Sequence, residues 1–191
     1  MSKRMPESLR RVPAYPRRSG GFTMVELIVV ILLVGILGAI GAARFFNRTG
    51  YDATAFAEQS RSMLRYAQKL AIAQNRPVFV HGALDGVALC FDVQEPCRAE
   101  FQVPAPSGAN SGSAATRKRC LAGKDYAPGW YCEGWPPGVN MIPVSGTLSS
   151  FFYNGLGQPV AAGGFIGLKV RIEGGGVSSE ISVSQETGYV N

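Results

Sequence analysis

The sequence predicts an α+β chain in which one long N-terminal helix packs against an antiparallel β-sheet head. Three observations carry that expectation. A nearly uncharged apolar run fills residues 22–43, directly after a basic leader. Apolar residues at helical spacing then continue to about residue 71. Beyond Pro77 the texture changes to short β-rich runs separated by Gly, Pro or Ser. The expected order is a leader at 1–21, a transmembrane helix at 22–43, its amphipathic continuation at 44–75, and a head at 76–191 with a Cys-rich loop at 90–132.

The net charge of +6 is unevenly spread. Residues 1–21 hold Lys3, Arg4, Arg10, Arg11, Arg17 and Arg18 against Glu7 alone. The rest carries 13 basic and 12 acidic side chains, so the high pI belongs to the leader. A nearly neutral body argues against broad electrostatic binding to nucleic acid.

The run "FTMVELIVVILLVGILGAIGAA" contains one charge, Glu26, before Arg44. As a helix, 22 residues reach roughly 33 Å, close to a hydrocarbon core of about 30 Å. Basic residues ahead of it keep the N-terminus cytoplasmic and send the remainder across the membrane. A secretory signal peptide is the first rival; its apolar region is usually shorter, although "GAA" at 41–43 passes as a weak cleavage site. An ordinary membrane anchor is the second rival, and it leaves Glu26 unexplained. "TMVE" fits a capping box, with Thr23 as N-cap and Glu26 three residues on, and a carboxylate in a first turn also gains from the helix dipole.

"GGFTMVELIVVILLVGILGAIG" after a basic leader resembles the class III signal of type IV prepilins and of type II secretion pseudopilins. The resemblance implies cleavage by a prepilin peptidase between Gly21 and Phe22, N-methylation of Phe22, and Glu26 as the fifth residue of the mature chain. It further implies that Glu26 docks on the amino group of Phe22 in a neighbouring subunit. The implied partners are other pilins or pseudopilins in a filament, the processing peptidase, an inner-membrane assembly platform and, before assembly, the inner membrane itself, with the head in the periplasm and later at the cell surface. Many members carry Pro near position 43, where this chain has Ala42 and Ala43. Gly35, Gly38 and Gly41 recur every third residue, a spacing that lets helices approach in lipid and is also common in any membrane helix.

In the continuation, Phe56, Ser60, Met63, Ala67 and Leu70 form one stripe, flanked by Ala53, Ala57, Leu64 and Ala71. Arg61, Arg65, Gln68 and Lys69 fall largely off it, and Pro77 stops the helix near Asn75. Unbroken from Thr23 to Gln74, such a helix is roughly 78 Å long. "NRTGYD" is the expected interruption, with Gly50 as the weak point and Asp52 as a second cap. "LRYAQKLAIAQNRPV" resembles the segment before the first strand of H-type pseudopilins and FimT-like minor pilins.

Strands are predicted at "VFVHGAL", "GVALCFDV", "LSSFFYN", "FIGLKVRIE" and "EISVS", with "EGGGVSS" as a hairpin turn. Residues 94–146 read as irregular. "FFYNGLGQPV" and the tail "ISVSQETGYVN" resemble the last strands of minor pilins from MSHA-type pili. Cys90, Cys97, Cys120 and Cys132 contain no C-x-x-C, and His81 is the single histidine, so no metal site is expected. In an oxidising compartment four cysteines allow three connectivities; Cys90–Cys97 with Cys120–Cys132 closes the shortest loops, and four free thiols are the cytoplasmic alternative.

No nucleophile motif, phosphate loop or paired carboxylates accompany His81, so neither catalysis nor a cofactor is expected. Arg117, Lys118 and Arg119 form the basic cluster outside the leader, readable as a solvated charge run or as a contact for DNA or a surface. Three function classes therefore stand side by side: a filament subunit, of a pilus or of a type II secretion pseudopilus; an anchored module that binds a surface or DNA; and an enzyme, the class with no residues to support it.

Overall fold

The computed structural model describes residues 22–45, 48–83, 85–146 and 151–191, with the backbone alone for 40–45. The leader, and with it Gly21, lies outside the described residues. Two compact units result, Met1–Arg44 and Phe45–Asn191.

The first unit presents α1 (Met24–Phe45), and the second begins with α2 (Arg48–Gln74). Both Gly50 and Asp52 lie inside α2, so the interruption expected at "NRTGYD" is absent over its described residues; Asn47 is outside them. Packing explains this: Gly50 and Ala53 are buried, and Thr54 Oγ1 donates back to the Gly50 carbonyl at 3.0 Å. Burial on one face outweighs a helix cost for Gly of about 1 kcal/mol.

The stripe of α2 is its buried face: Ala53, Phe56, Ala57, Ser60, Met63, Leu64, Ala67 and Ala71 are all buried. The helix ends in a Schellman arrangement. Asn75 takes φ 47°, its amide donates to Ile72 O, and the Arg76 amide donates to Ala71 O. Pro77 then releases the chain into β1.

The head contains β1 (Val78–Ala83), β2 (Gly86–Cys90), a single 3-10 turn at Ala99–Phe101, α3 (Ala114–Arg119), β3 (Leu121–Ala122), β4 (Asp125–Tyr126), β5 (Cys132–Gly134), β6 (Asn140–Ser145), β7 (Phe151–Tyr153), β8 (Pro159–Ala161), β9 (Leu168–Gly174) and β10 (Val177–Val183). All pairings are antiparallel: β5-β2-β1-β7-β8 in one sheet, β10-β9-β6 in a second, and the pair β3-β4. The stretch 94–146, read from the sequence as irregular, therefore holds α3 and four strands, two of them in the main sheets. Of "LSSFFYN", residues 148–150 lie outside the described residues and Phe151–Tyr153 forms β7. The hairpin expected at "EGGGVSS" turns on Gly175 and Gly176, whose φ values of 56° and 78° suit a two-residue turn closed to most side chains.

Register separates two cores. Val78 and Val80 of β1 share a face with Leu89 of β2 and with Phe151 and Tyr153 of β7. That face, with Leu168, Val170, Ile172, Ile181 and Val183 from the second sheet, meets the stripe of α2. The opposite face carries Ala88 and Cys90 of β2 and Cys132 of β5, which belong to a second cluster with Cys97, Cys120 and Trp130.

Candidate functional site

The first turn of α1 carries the residues singled out at the processing site. Thr23 opens the helix: its hydroxyl accepts the Glu26 amide at 3.2 Å and its carbonyl accepts the Leu27 amide at 3.1 Å. That supplies the local role of "TMVE". The Glu26 carboxylate sits in the first turn of an otherwise apolar helix and is exposed. Phe22 is 80% exposed.

Every described side chain of α1 is exposed, including Val25 at 70%, Leu32 at 59% and Leu37 at 69%. Burying one such side chain is worth about 1.5–3 kcal/mol, so a row of them in water is unstable against any apolar cover. A methyl group built on Gly35 or Gly38 would meet nothing within 4 Å, leaving those points open to a close neighbour. Side chains are described to residue 39, and among the described residues no helix is long and apolar enough to cross a membrane.

The cysteines pair as Cys90–Cys97 and Cys120–Cys132, seven and twelve residues apart. Each bond joins a residue on a main-sheet strand, Cys90 or Cys132, to one in the intervening loop. Trp130 packs among them, with Nε1 donating to Leu89 O at 2.7 Å.

Beside this cluster Glu133 is 3% exposed and serves as a polar anchor that the sequence reading missed. It accepts the Ser111 amide at 2.8 Å, the Thr116 hydroxyl at 2.8 Å and the Ser111 hydroxyl. Thr116 Oγ1 also accepts the Gly134 amide at 3.1 Å, so residues 111–116 sit against β5. Gly134 must lack a side chain there, because a Cβ would fall 2.4 Å from the Ala115 backbone. The available signal was "SAAT", a Ser N-cap three residues before Thr: Ser113 Oγ accepts the Thr116 amide at 3.1 Å. Burial, then the charge of Glu133, pushes the nearby Tyr131 phenol up.

The basic cluster lies on α3 and is divided. Arg119 is held at 3.1 Å from Asp85 and in an ion pair with Glu95. Arg117 and Lys118 remain exposed, with Arg117 donating to Gly112 O and lying over the Tyr126 ring. His81 is buried; Nε2 donates to Asp92 O at 3.0 Å and Nδ1 lies 3.8 Å from the Glu95 carboxylate. The Asp92 carboxyl is held below its usual range, chiefly by the hydrogen bond from Arg98. Among the described residues no group of three or more His, Cys, Asp or Glu is arranged to hold a metal ion.

With this geometry in hand, likenesses to known proteins can be placed on it. Residues 16–42 match the prokaryotic N-terminal methylation motif. A stretch of 70 residues is 37% identical to the type IV narrow pilus major component PilA5 of Thermus thermophilus; it takes in 34% of this chain and 60% of that relative, so the chain spans less than two thirds of the relative's length. Two crystal forms of the type IV minor pilin FimU of Pseudomonas aeruginosa are similar at 17% identity. One covers 74% of this chain and 87% of that one, with a TM-score of 0.46; the other covers 72% and 90%, with a TM-score of 0.44. Likeness of that degree carries no argument about function.

Proposed function

We propose that the chain is a minor pilin, a structural subunit of a type IV filament with no catalysis of its own. A prepilin peptidase cuts between Gly21 and Phe22 and Phe22 is N-methylated. The helix from 22 to 43 then holds the subunit in the inner membrane, with its head in the periplasm, until an assembly platform moves it into a filament among other pilins. The single observation behind this reading is the methylation motif at 16–42, whose described part runs into a helix with every described apolar side chain exposed and one acid a single turn from Phe22.

In this account Glu26 has two roles. Its amide completes the helix cap with Thr23, and its carboxylate pairs with the amino group of a neighbouring Phe22. That pairing offsets the cost of a charge in lipid, about 2.5–3.5 kcal/mol on insertion scales, and sets the axial stagger between subunits.

The finer assignment is to MSHA-type minor pilins. It is supported by the resemblance of residues 151–160 and 181–191 to the last strands of those proteins. Both segments meet α2 through one side chain: Gln68 Nε2 donates to Gly157 O at 2.9 Å and to Thr187 O at 2.7 Å. The alternative assignment, a minor pseudopilin of a type II secretion system, separates by phenotype: deletion then abolishes secretion and leaves pilus number unchanged.

Mass spectrometry of the chain recovered from cells tests the reading. The expected N-terminus is N-methyl-Phe22. A chain that starts at Met1 or at Arg44 would overturn it.

A further inference from the structure

The second core raises a question that assembly does not answer: why two disulfides gather on one face of the sheet, with a buried carboxylate beside them on the edge strand β5. Chain tracing gives the arrangement. From the end of β2 the backbone leaves the sheet at 91–101, returns at 102–105, leaves again at 106–128 and returns at 129–134. The returning pieces join the main core. Val103, Ala105 and Tyr131 are buried within it, and Tyr66 of α2 packs edge-on to Tyr131 with ring centroids 5.3 Å apart. Of the two excursions, the first touches that core through Phe91 alone and the second contributes no residue to it. Cys97 ties the first back to Cys90, and Cys120 ties the second back to Cys132.

Residues 106–128 contain α3, β3 and β4, and they cover Ala88, Cys132 and Trp130 with Cys120, Tyr126 and Ala127. Their polar bonds are local. Asn110 Nδ2 donates to Ala127 O and Trp130 O, Ser111 and Thr116 reach Glu133, and Arg119 reaches Asp85 and Glu95. Among the described residues, none of the hydrogen bonds of 106–128 reaches α2, β9 or β10. Pro106 and Pro128 stand at the two ends of the segment.

We infer that residues 106–128 form a latched flap over the outer face of β2 and β5, with Cys120–Cys132 as the latch, and that the flap opens as one unit while the α2–sheet core stays folded. Opening uncovers Ala88 and Trp130, an apolar surface that the closed head hides. The Glu133 anchor holds the flap in register and the cross-link limits how far it can leave. The inference is independent of the filament assignment.

The test uses the full chain in detergent and the double substitution Cys120→Ala/Cys132→Ala, followed by amide hydrogen exchange. Exchange in 110–127 should rise roughly tenfold to a hundredfold, while 57–71 in α2 and 170–183 in β9 and β10 keep their protection. Unchanged exchange in 110–127 would remove the latch from the account. Simultaneous loss of protection in α2 and β9, or a variant that fails to fold, would show that the segment is not a separable unit.

Discussion

Two helices follow each other in this chain, and they differ in where their cover comes from. In α2 the apolar stripe from Ala53 to Ala71 is buried against the chain's own sheets, and three off-stripe polar residues bond across to β10 and the tail after it: Arg61 to Glu180 O, Arg65 to Val190 O and Gln68 to Thr187 O. In α1 the apolar residues run all round, and every described one is exposed. A helix apolar on one stripe is satisfied within its own fold, whereas one apolar on all sides needs lipid or other subunits around it. The lone acid of α1 belongs to the same contrast. Arg61, Arg65 and Gln68 of α2 find their partners within the chain, while the proposed partner of the Glu26 carboxylate belongs to another copy.

The largest expected effect tests that contrast with matched truncations. Met63→Ala, at a fully buried position of α2, should lower head stability by about 2–5 kcal/mol in chemical denaturation followed by circular dichroism in detergent. Leu32→Ala in α1 should change the same transition by less than about 0.5 kcal/mol. Equal losses in the two helices would erase the distinction. Next in size, Glu133→Ala takes the carboxylate acceptor from the buried Thr116 hydroxyl and from the Ser111 amide, so a loss of about 1–3 kcal/mol is expected, read as a lowered denaturation midpoint. The effect should fall well below that in Glu133→Gln, which keeps an acceptor.

The reach of the sequence followed the same physics. The stripe of α2 was legible because it repeats over five turns, and its end was legible because Asn75 and Pro77 leave few other ways out of a helix. β9 was legible from Leu168, Val170 and Ile172 alternating with Lys169, Arg171 and Glu173. β3, β4, β5 and α3 were not, since elements of two to six residues contain no period to read. Their order comes from contacts distant in sequence: Ser111 to Glu133, Arg119 to Asp85, and the close approach of Gly134 to Ala115. The chain stays helical at Gly50 itself because local propensity yields where a small residue is wanted on a buried face.

A smaller effect is set by pH. Burial pushes the Tyr153 phenol up, so in the folded head it stays neutral where the unfolded chain has already ionised. Its contribution is complete below the unfolded pKa, about 10, and is lost as pH rises beyond that value. Tyr153→Phe should therefore raise the alkaline unfolding midpoint in a pH titration and change stability at neutral pH by about 1 kcal/mol or less, its hydrogen bond to Gly188 O being long at 3.4 Å. The smallest effect is expected at the surface. Arg117→Ala with Lys118→Ala should leave head stability within about 0.5 kcal/mol, and a DNA titration at low salt should show no affinity for the double variant to lose. A salt-dependent affinity that disappears in that variant would instead make the exposed pair a DNA contact.

The most direct measurement concerns the charge at the start of α1. Glu26→Gln keeps the Glu26 amide on the Thr23 hydroxyl and keeps a side chain of the same length, while removing the negative charge. Purified filaments from cells that make the variant should lack the subunit, although the membrane fraction holds it at normal level. Filaments containing the variant at the wild-type proportion would contradict the account.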